Sequence, residues 1–500
     1  MLREITDNKR ILSAIASGAL LSAAFPNPDI WPLAYIAFVP LLFVIRGLEK
    51  IEAFYFSYIF GFVFFVITMF WLRHVSIPGG VFLIAVLSVF FGLFGSLFAG
   101  MSAGEAMLSI LILPAYWVGL EYIRSNLFTG FGWALLGYSQ YKNLHMIQIS
   151  DMTGAYGVSF IVIMVNILIY TLLSGAYRKG VCYLIVSISI VAAALWYGHG
   201  ILLEKVDEKQ RLRVSVIQGN IPQDMKWEAR ERDVILERYS TLTRKAALDG
   251  PELIVWPETS LPGFIEEEDL LEKAKALARE AGADLLIGAP SFTEFPEERL
   301  YNSAFLISKE GDIKGQYDKV HPVPFGEYVP FNQYLGFIRK FVDKPIGDFA
   351  KGTRYTVFSL DNGAQFGVLI CFEDIFSNLV RVFAAKRADF MVNMTNDAWF
   401  MKTSAPYQHA QSSVFRAVEN RVPVIRAANT GLSCFIDRCG RIFDRVSVEG
   451  ADIFVAGYKT SEIILSGKDS FYKRYGDVFA GLCLIIILIK GGLVWLRRLS

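Results

Sequence analysis

The sequence predicts a two-part fold, a membrane α-helical bundle of about eight spanning helices joined to an α/β domain, and three observations predict it. Of its residues 53% are hydrophobic and the mean hydropathy is +0.39, above the range of an ordinary soluble protein. Charged residues are sparse over roughly the first 200 positions and ordinary between about 205 and 470. Within that polar stretch, short β-rich runs alternate with segments of helical periodicity. The 500-residue chain is therefore expected to divide into an N-terminal transmembrane domain (1–204), a polar domain (205–470) and a C-terminal membrane helix with its tail (471–500).

Apolar runs fall near 11–25, 31–45, 54–72, 81–99, 107–120, 158–174, 181–198 and 478–495. A helix needs roughly 20 residues to span a bilayer, so the first, second and fifth runs must recruit flanking residues or re-enter. Met1 to Arg10 is followed by one hydrophobic segment after another, which reads as a first membrane helix and not as a cleaved leader. Basic residues are retained on the cytoplasmic side of a membrane. The clusters Arg3, Lys9 and Arg10, then Arg46 and Lys50, then Arg178 and Lys179, and finally Arg497 and Arg498 all fall on one side if the count is eight. Seven crossings then place the polar domain outside and leave both termini in the cytoplasm.

In the polar domain, strands are predicted at Leu212–Gln218, Leu253–Trp256, Leu285–Ile287, Ala304–Ile307, Gly367–Cys371, Phe390–Met394, Val424–Ala427 and Cys434–Ile436. Helices are predicted at Trp227–Asp249, Asp269–Ala281 and Tyr407–Glu419, where apolar residues recur every three and four positions. Cys182, Cys371, Cys434, Cys439 and Cys483 form no CxxC motif or spaced Cys/His set, so neither a metal site nor a cofactor is expected. Cys434 and Cys439 flank a predicted turn and stand either as separate thiols or as a bridged pair. The Gly-rich stretches 128–137 and 154–159 lack the strand context of a phosphate loop, and no basic patch with interleaved aromatics points to nucleic acid.

Three signals sit where predicted strands end, the usual place for working groups in an α/β sheet. Leu253-Ile-Val-Trp-Pro-Glu-Thr-Ser260 offers Glu258, Gly315-Gln-Tyr-Asp-Lys-Val-His321 offers Lys319, and Gly367-Val-Leu-Ile-Cys-Phe-Glu-Asp374 offers Cys371. Singly, each has a bland reading as a strand-end carboxylate, a solvated lysine or a small core thiol. Together they supply the base, the cation and the nucleophile that thiol acylation requires.

In that order and context, Glu258, Lys319 and Cys371 resemble the nitrilase superfamily of carbon-nitrogen hydrolases over about 212–460. With the flanking helices and the strings Pro257-Glu-Thr-Ser260, Pro324-Phe-Gly-Glu-Tyr-Val-Pro330 and Thr395-Asn-Asp-Ala-Trp-Phe400, nearly the whole chain resembles the apolipoprotein N-acyltransferase family. The resemblance implies an αββα sandwich for the polar domain. It also implies that Glu327 positions Lys319 or the incoming amine, and that Glu373 and Trp227 occupy further family positions. Trp227 fits equally well as packing against the helix after it. Phe372 stands where the family commonly has Tyr; its backbone N–H remains available to an oxyanion, and a hydroxyl does not. Asn396 and Asp397 fit either bracing of active-site loops or a plain turn after a buried strand. The aromatic and basic stretch 322–341, ending in Phe337-Ile-Arg-Lys-Phe341, fits an ordinary loop or a lid at the lipid interface.

The implied activity is ping-pong acyl transfer in a bacterial inner membrane, with the catalytic domain on the periplasmic face. Cys371 would take an acyl chain from a phospholipid, by the resemblance phosphatidylethanolamine. It would pass that chain to the α-amine of a diacylglyceryl-cysteine on a lipoprotein. The rivals are a membrane-anchored amidase that uses water as second nucleophile, and an inactive scaffold. A Cys371 thiolate favoured by the nearby lysine is part of the expectation.

Overall fold

The computed structural model describes residues 2–101, 108–205, 210–293, 298–330, 332–336, 348–465 and 469–499. The chain separates into two compact units, Met1–Glu204 with Tyr475–Ser500, and Lys205–Arg474.

In the first unit the apolar runs are helical: Leu2–Ser22, Lys50–Thr68, Ile77–Ala99, Ser109–Asn126, Ala155–Leu173, Tyr177–Leu203 and Val478–Leu499. Four of the described helices, Lys50–Thr68, Ile77–Ala99, Ala155–Leu173 and Arg178–Leu203, are long and apolar enough to cross a membrane. The second run is not one helix. Pro32 and Pro40 divide it into a 3-10 segment, Trp31–Tyr35, and a short α-helix, Val39–Ile45. The irregular join is stitched by Asn166, whose side chain accepts from the Phe38 N–H at 2.9 Å and donates to the Ala34 carbonyl at 2.8 Å. Where the bilayer supplies no water, such a side chain must satisfy the backbone that a broken helix leaves open.

The second unit holds twelve strands: β1 (Arg211–Gln218), β2 (Leu253–Val255), β3 (Asp284–Thr293), β4 (Arg299–Ile307), β5 (Ile313–Asp318), β6 (Val357–Ser359), β7 (Gln365–Ile370), β8 (Phe390–Thr395), β9 (Val424–Ala428), β10 (Cys434–Ile436), β11 (Ile442–Arg445) and β12 (Gly457–Ile464). They form two six-stranded sheets, ordered β12-β1-β2-β3-β4-β5 and β11-β10-β9-β8-β7-β6. Each has a parallel centre, β1-β2-β3 in one and β7-β8-β9 in the other, with antiparallel strands outside it. The sheets meet face to face, β1 against β9 and β4 against β7. Helices Arg232–Ala247 and Glu268–Ala281 cover the first sheet, and Ser377–Ala385 and Ala405–Asn420 cover the second, which gives a four-layer αββα sandwich.

The parallel strands are buried over most of their length, so they read as predominantly apolar runs and their positions match the sequence. β5, β11 and β12 were not expected, because charged residues such as Lys314, Arg445 and Glu462 interrupt them, nor was β6, only three residues long. The helix expected from Trp227 begins at Arg232 instead; 3-10 turns at Met225–Trp227 and Ala229–Glu231 precede it. Cys434 and Cys439 are separate free thiols.

Candidate active site

The strand ends bring the three motifs together. Glu258 follows β2, and its loop lies so close to β3 that a Cβ on Gly288 would come within 2.6 Å of the Pro257 carbonyl oxygen and 2.9 Å of the Glu258 Cα. The next residue, Thr259, takes φ +43°, a costly conformation for a β-branched residue that only a surrounding structure can hold. Lys319 follows β5, and Cys371 follows β7.

The lysine is the hub. Its Nζ lies 3.4 Å from Glu258 Oε1 and 3.0 and 2.9 Å from the two Glu327 oxygens. Asn302, on β4, ties the carboxylates to each other by donating to Glu258 Oε1 at 2.8 Å and to Glu327 Oε1 at 2.9 Å. Glu327 also accepts from the Val323 N–H at 2.7 Å, which closes the 323–327 turn around the lysine. Burial alone would drive off the Lys319 proton, but Glu327 and Glu258 more than compensate and hold it well above the ordinary lysine range.

Cys371 does not end a strand; it opens a 3-10 turn, Cys371–Ile375, with φ +55°. Its carbonyl oxygen accepts from Asn393 Nδ2 at 3.0 Å. Its thiol meets the Thr395 hydroxyl, and Glu258 and Lys319 both act on its charge. Burial first, and Glu258 second, push the thiol well above its usual range and outweigh the lysine. Lys319 pulls toward the thiolate, as expected, but burial and Glu258 favour the protonated thiol more strongly.

Glu373 does not face Lys319 as a reacting group; it buckles the loops together. It accepts from the N–H groups of Val320 (2.7 Å), His321 (2.9 Å) and Ile370 (2.8 Å), and from the Tyr317 hydroxyl at 3.0 and 2.9 Å. Burial nevertheless pushes its carboxyl up to about 7. The Phe372 ring packs edge-on against Phe376, their centroids 5.2 Å apart. Asn396 is a brace: it donates to Gln223 Oε1 at 2.7 Å and accepts from Asn429 Nδ2 at 3.0 Å. The side chain of Trp227 and the segment Phe337-Ile-Arg-Lys-Phe341 lie outside the described residues.

Sequence reasoning missed one group and, of a second, singled out only Asp397. Lys226, on the 3-10 turn Met225–Trp227, is buried and donates to the Glu258 carbonyl at 2.9 Å and to Thr259 Oγ1 at 2.7 Å. Behind the nucleophile lies a sealed cluster of four charged groups. His409 Nδ1 is 2.9 Å from Asp397 Oδ1, and its Nε2 is 3.0 Å from Asp374 Oδ1 and 3.3 Å from the Cys371 carbonyl. Arg426 donates to Asp374 Oδ2 at 2.8 Å. These partners on the two imidazole nitrogens are acceptors, which both nitrogens meet as donors in the imidazolium form. Burial works against the imidazolium, but Asp374 and Asp397 raise it to about 9. The one available signal was a run of polar residues on the helix Ala405–Asn420, which is buried along almost its whole length.

Residues 17–168 match the family model for the apolipoprotein N-acyltransferase N-terminal domain, and residues 213–464 match that for carbon-nitrogen hydrolases. The chain is 39% identical to an apolipoprotein N-acyltransferase from Geobacter metallireducens, over 97% of this chain and 95% of that one. It is 30% identical to one from Pasteurella multocida, with the same coverage of both chains. Among solved structures, Saccharomyces cerevisiae Nit3, of branch 10 of the nitrilase superfamily, is 18% identical with a TM-score of 0.40, covering 53% of this chain and 94% of that one. The two domain matches and the near full-length identity establish that the chain belongs to the apolipoprotein N-acyltransferase family.

Proposed function

We propose that this protein transfers a fatty acyl chain from a membrane phospholipid to the α-amine of the N-terminal diacylglyceryl-cysteine of a lipoprotein, through a thioester on Cys371. The observation that carries the reading is the cluster in which Lys319 joins Glu258 and Glu327 beside a neutral, strained Cys371. As the sulfur attacks the ester carbonyl, its proton passes to Glu258. Both polar contacts on that carboxylate fall on Oε1, which leaves Oε2 to receive it. Charge that develops on the carbonyl oxygen is met by Lys319 and the Phe372 N–H, where low dielectric strengthens both. Glu258 then protonates the departing lysophospholipid oxygen, and the C–O bond gives way to the thioester. In the second half-reaction Glu258 takes a proton from the amine as it attacks the thioester, and the thiol is restored.

The reading includes eight membrane crossings, with seven before residue 205. It places the catalytic domain (205–470) on the periplasmic face of a bacterial inner membrane, both termini in the cytoplasm, and phosphatidylethanolamine as the donor. Basic loops on one side support the orientation, and an acyl chain already in the bilayer suits an anchored enzyme.

Intact mass of the detergent-purified protein after incubation with phosphatidylethanolamine tests the chemistry. A fatty-acyl adduct that is absent in Cys371→Ala and discharged by a diacylated lipopeptide with a free amine is the expected result. Discharge by water alone would make the protein a hydrolase, and an adduct that persists in Cys371→Ala would remove Cys371 as the nucleophile.

A further inference from the structure

Lys226 is only 4% exposed, although it lies on a short turn where Asp224 and Glu228 are both exposed. Its ammonium group is aimed inward at the loop that carries Glu258. One N–H bonds the Glu258 carbonyl and another bonds the hydroxyl of Thr259, the residue held at positive φ. The charged or titrating groups that face it are Glu258 and Cys371. An ammonium this buried is costly unless it answers a charge nearby.

The charge balance of the site gives it a reason. Glu258 and Glu327 carry two negative charges and Lys319 carries one positive; Lys226 makes the count neutral. Glu373 lies behind the nucleophile and is met by its own set of donors. When the thiol proton moves to Glu258, negative charge moves to sulfur and then to the carbonyl oxygen, so the total is unchanged. Without the Lys226 charge, the same transfer would occur in a buried site carrying a net negative charge, which opposes an oxyanion.

We propose that Lys226 is a second cation of the active site, a positioning residue that fixes the general base through its carbonyl and keeps the site neutral while the Cys371 proton is in transit. The inference rests on Cys371 being the nucleophile. Burial lowers the Lys226 ammonium to about 8 against the opposing pull of Glu258 and Cys371. The charge it supplies is therefore present below that pH and lost above it. Cys371 and Lys319 both titrate well above this window, and Glu373, at about 7, and His409, at about 9, are the other site groups that titrate near it.

The test is the rate of acyl-enzyme formation, followed by intact mass with phospholipid in detergent and no lipopeptide, between about pH 6.5 and 9.5. The wild-type rate is expected to fall with an apparent pKa near 8. Lys226→Arg, whose charge does not titrate, is expected to keep most of the rate and lose that fall. Lys226→Gln is expected to be slower at pH 7 by on the order of tenfold to a hundredfold. A flat wild-type profile through pH 8, or the same fall near 8 in either variant, overturns the proposal. If a variant lacks a thermal unfolding transition, the wild-type profile alone decides. Absence of a wild-type adduct, or an adduct in Cys371→Ala, would instead count against the nucleophile on which the inference rests.

Discussion

Two buried charge clusters meet at Cys371, and they differ in how completely they are closed. On one side the Lys319 side chain is 1% exposed, but its partners Glu258 and Glu327 are 8% and 15% exposed, and Glu258 acts on the thiol. On the other side the side chains of His409, Asp374, Asp397 and Arg426 are all 0–1% exposed, with charges that sum to zero. The first cluster keeps an edge open to a substrate. The second bonds the carbonyl of the nucleophile through His409 and reaches its thiol through Asp397 and Thr395, so it braces Cys371 from behind. Similar ionic chemistry thus gives a working site where it is open and a scaffold where it is sealed.

Short of removing the nucleophile, the largest effect on catalysis is expected from Lys319→Met, which removes the charge beside the oxyanion. Turnover should fall at least about 10²-fold. The loss of stability should be smaller than in the sealed cluster, because Glu327 keeps its bonds from Val323 and Asn302. If Lys319→Met unfolded as readily as a variant of the sealed cluster while any folded fraction stayed active, the distinction between the two would collapse.

The largest effect on stability is expected from His409→Gln. Removing one partner from a buried ionic network costs about 3–5 kcal/mol, so the thermal midpoint of the purified protein should drop clearly. Its pH dependence sharpens the comparison. The imidazolium is raised from 6.5 to about 9 in the folded protein, so its contribution is complete below pH 6.5 and is lost as pH rises through 9. Wild-type stability should decline over that window, and His409→Gln should not show the decline. Glu373, raised from 4.5 to about 7, contributes fully below pH 4.5 and loses that contribution as pH rises through 7, a decline that should appear in both proteins. An unchanged slope above pH 7 in the variant would mean that the histidine is not charged in the fold.

How far these clusters could be read from the sequence follows from the reach of their contacts. Glu258 and Cys371 each follow an apolar strand, and Lys319 stands in the motif Gly315-Gln-Tyr-Asp-Lys-Val-His321, local patterns that survive without any structure. The parallel strands were legible for the same reason. Asn302 meets Glu258 across 44 residues and Glu373 meets Tyr317 across 56, and no periodicity records such distances. Lys226 looks like a solvated lysine in Gln223-Asp-Met-Lys-Trp227 because its burial is produced by the Glu258 loop lying against it. The edge strands β5, β11 and β12 were hidden because their charged residues resemble those of loops, and β6 because it is only three residues long. The left-handed backbone at Cys371 is imposed by packing, and a cysteine gives no sign of it as a glycine would.

The smallest effect is expected where the two sides are joined and neither charge cluster is touched. Asn396 immediately precedes Asp397 of the sealed cluster, and its amide reaches Gln223, three residues before Lys226 on the open side. Asn429 completes the bridge by bonding Asn396 as well as the N–H and carbonyl of Ile221. Asn396→Ala removes neutral hydrogen bonds from a buried position, which costs about 1–3 kcal/mol. Acyl-enzyme formation should slow by less than about tenfold, since the acid–base pair and the oxyanion charge remain in place. A loss as deep as that of Lys319→Met would show that the register between the two clusters matters as much as either one, because Asn396 contributes no charge of its own.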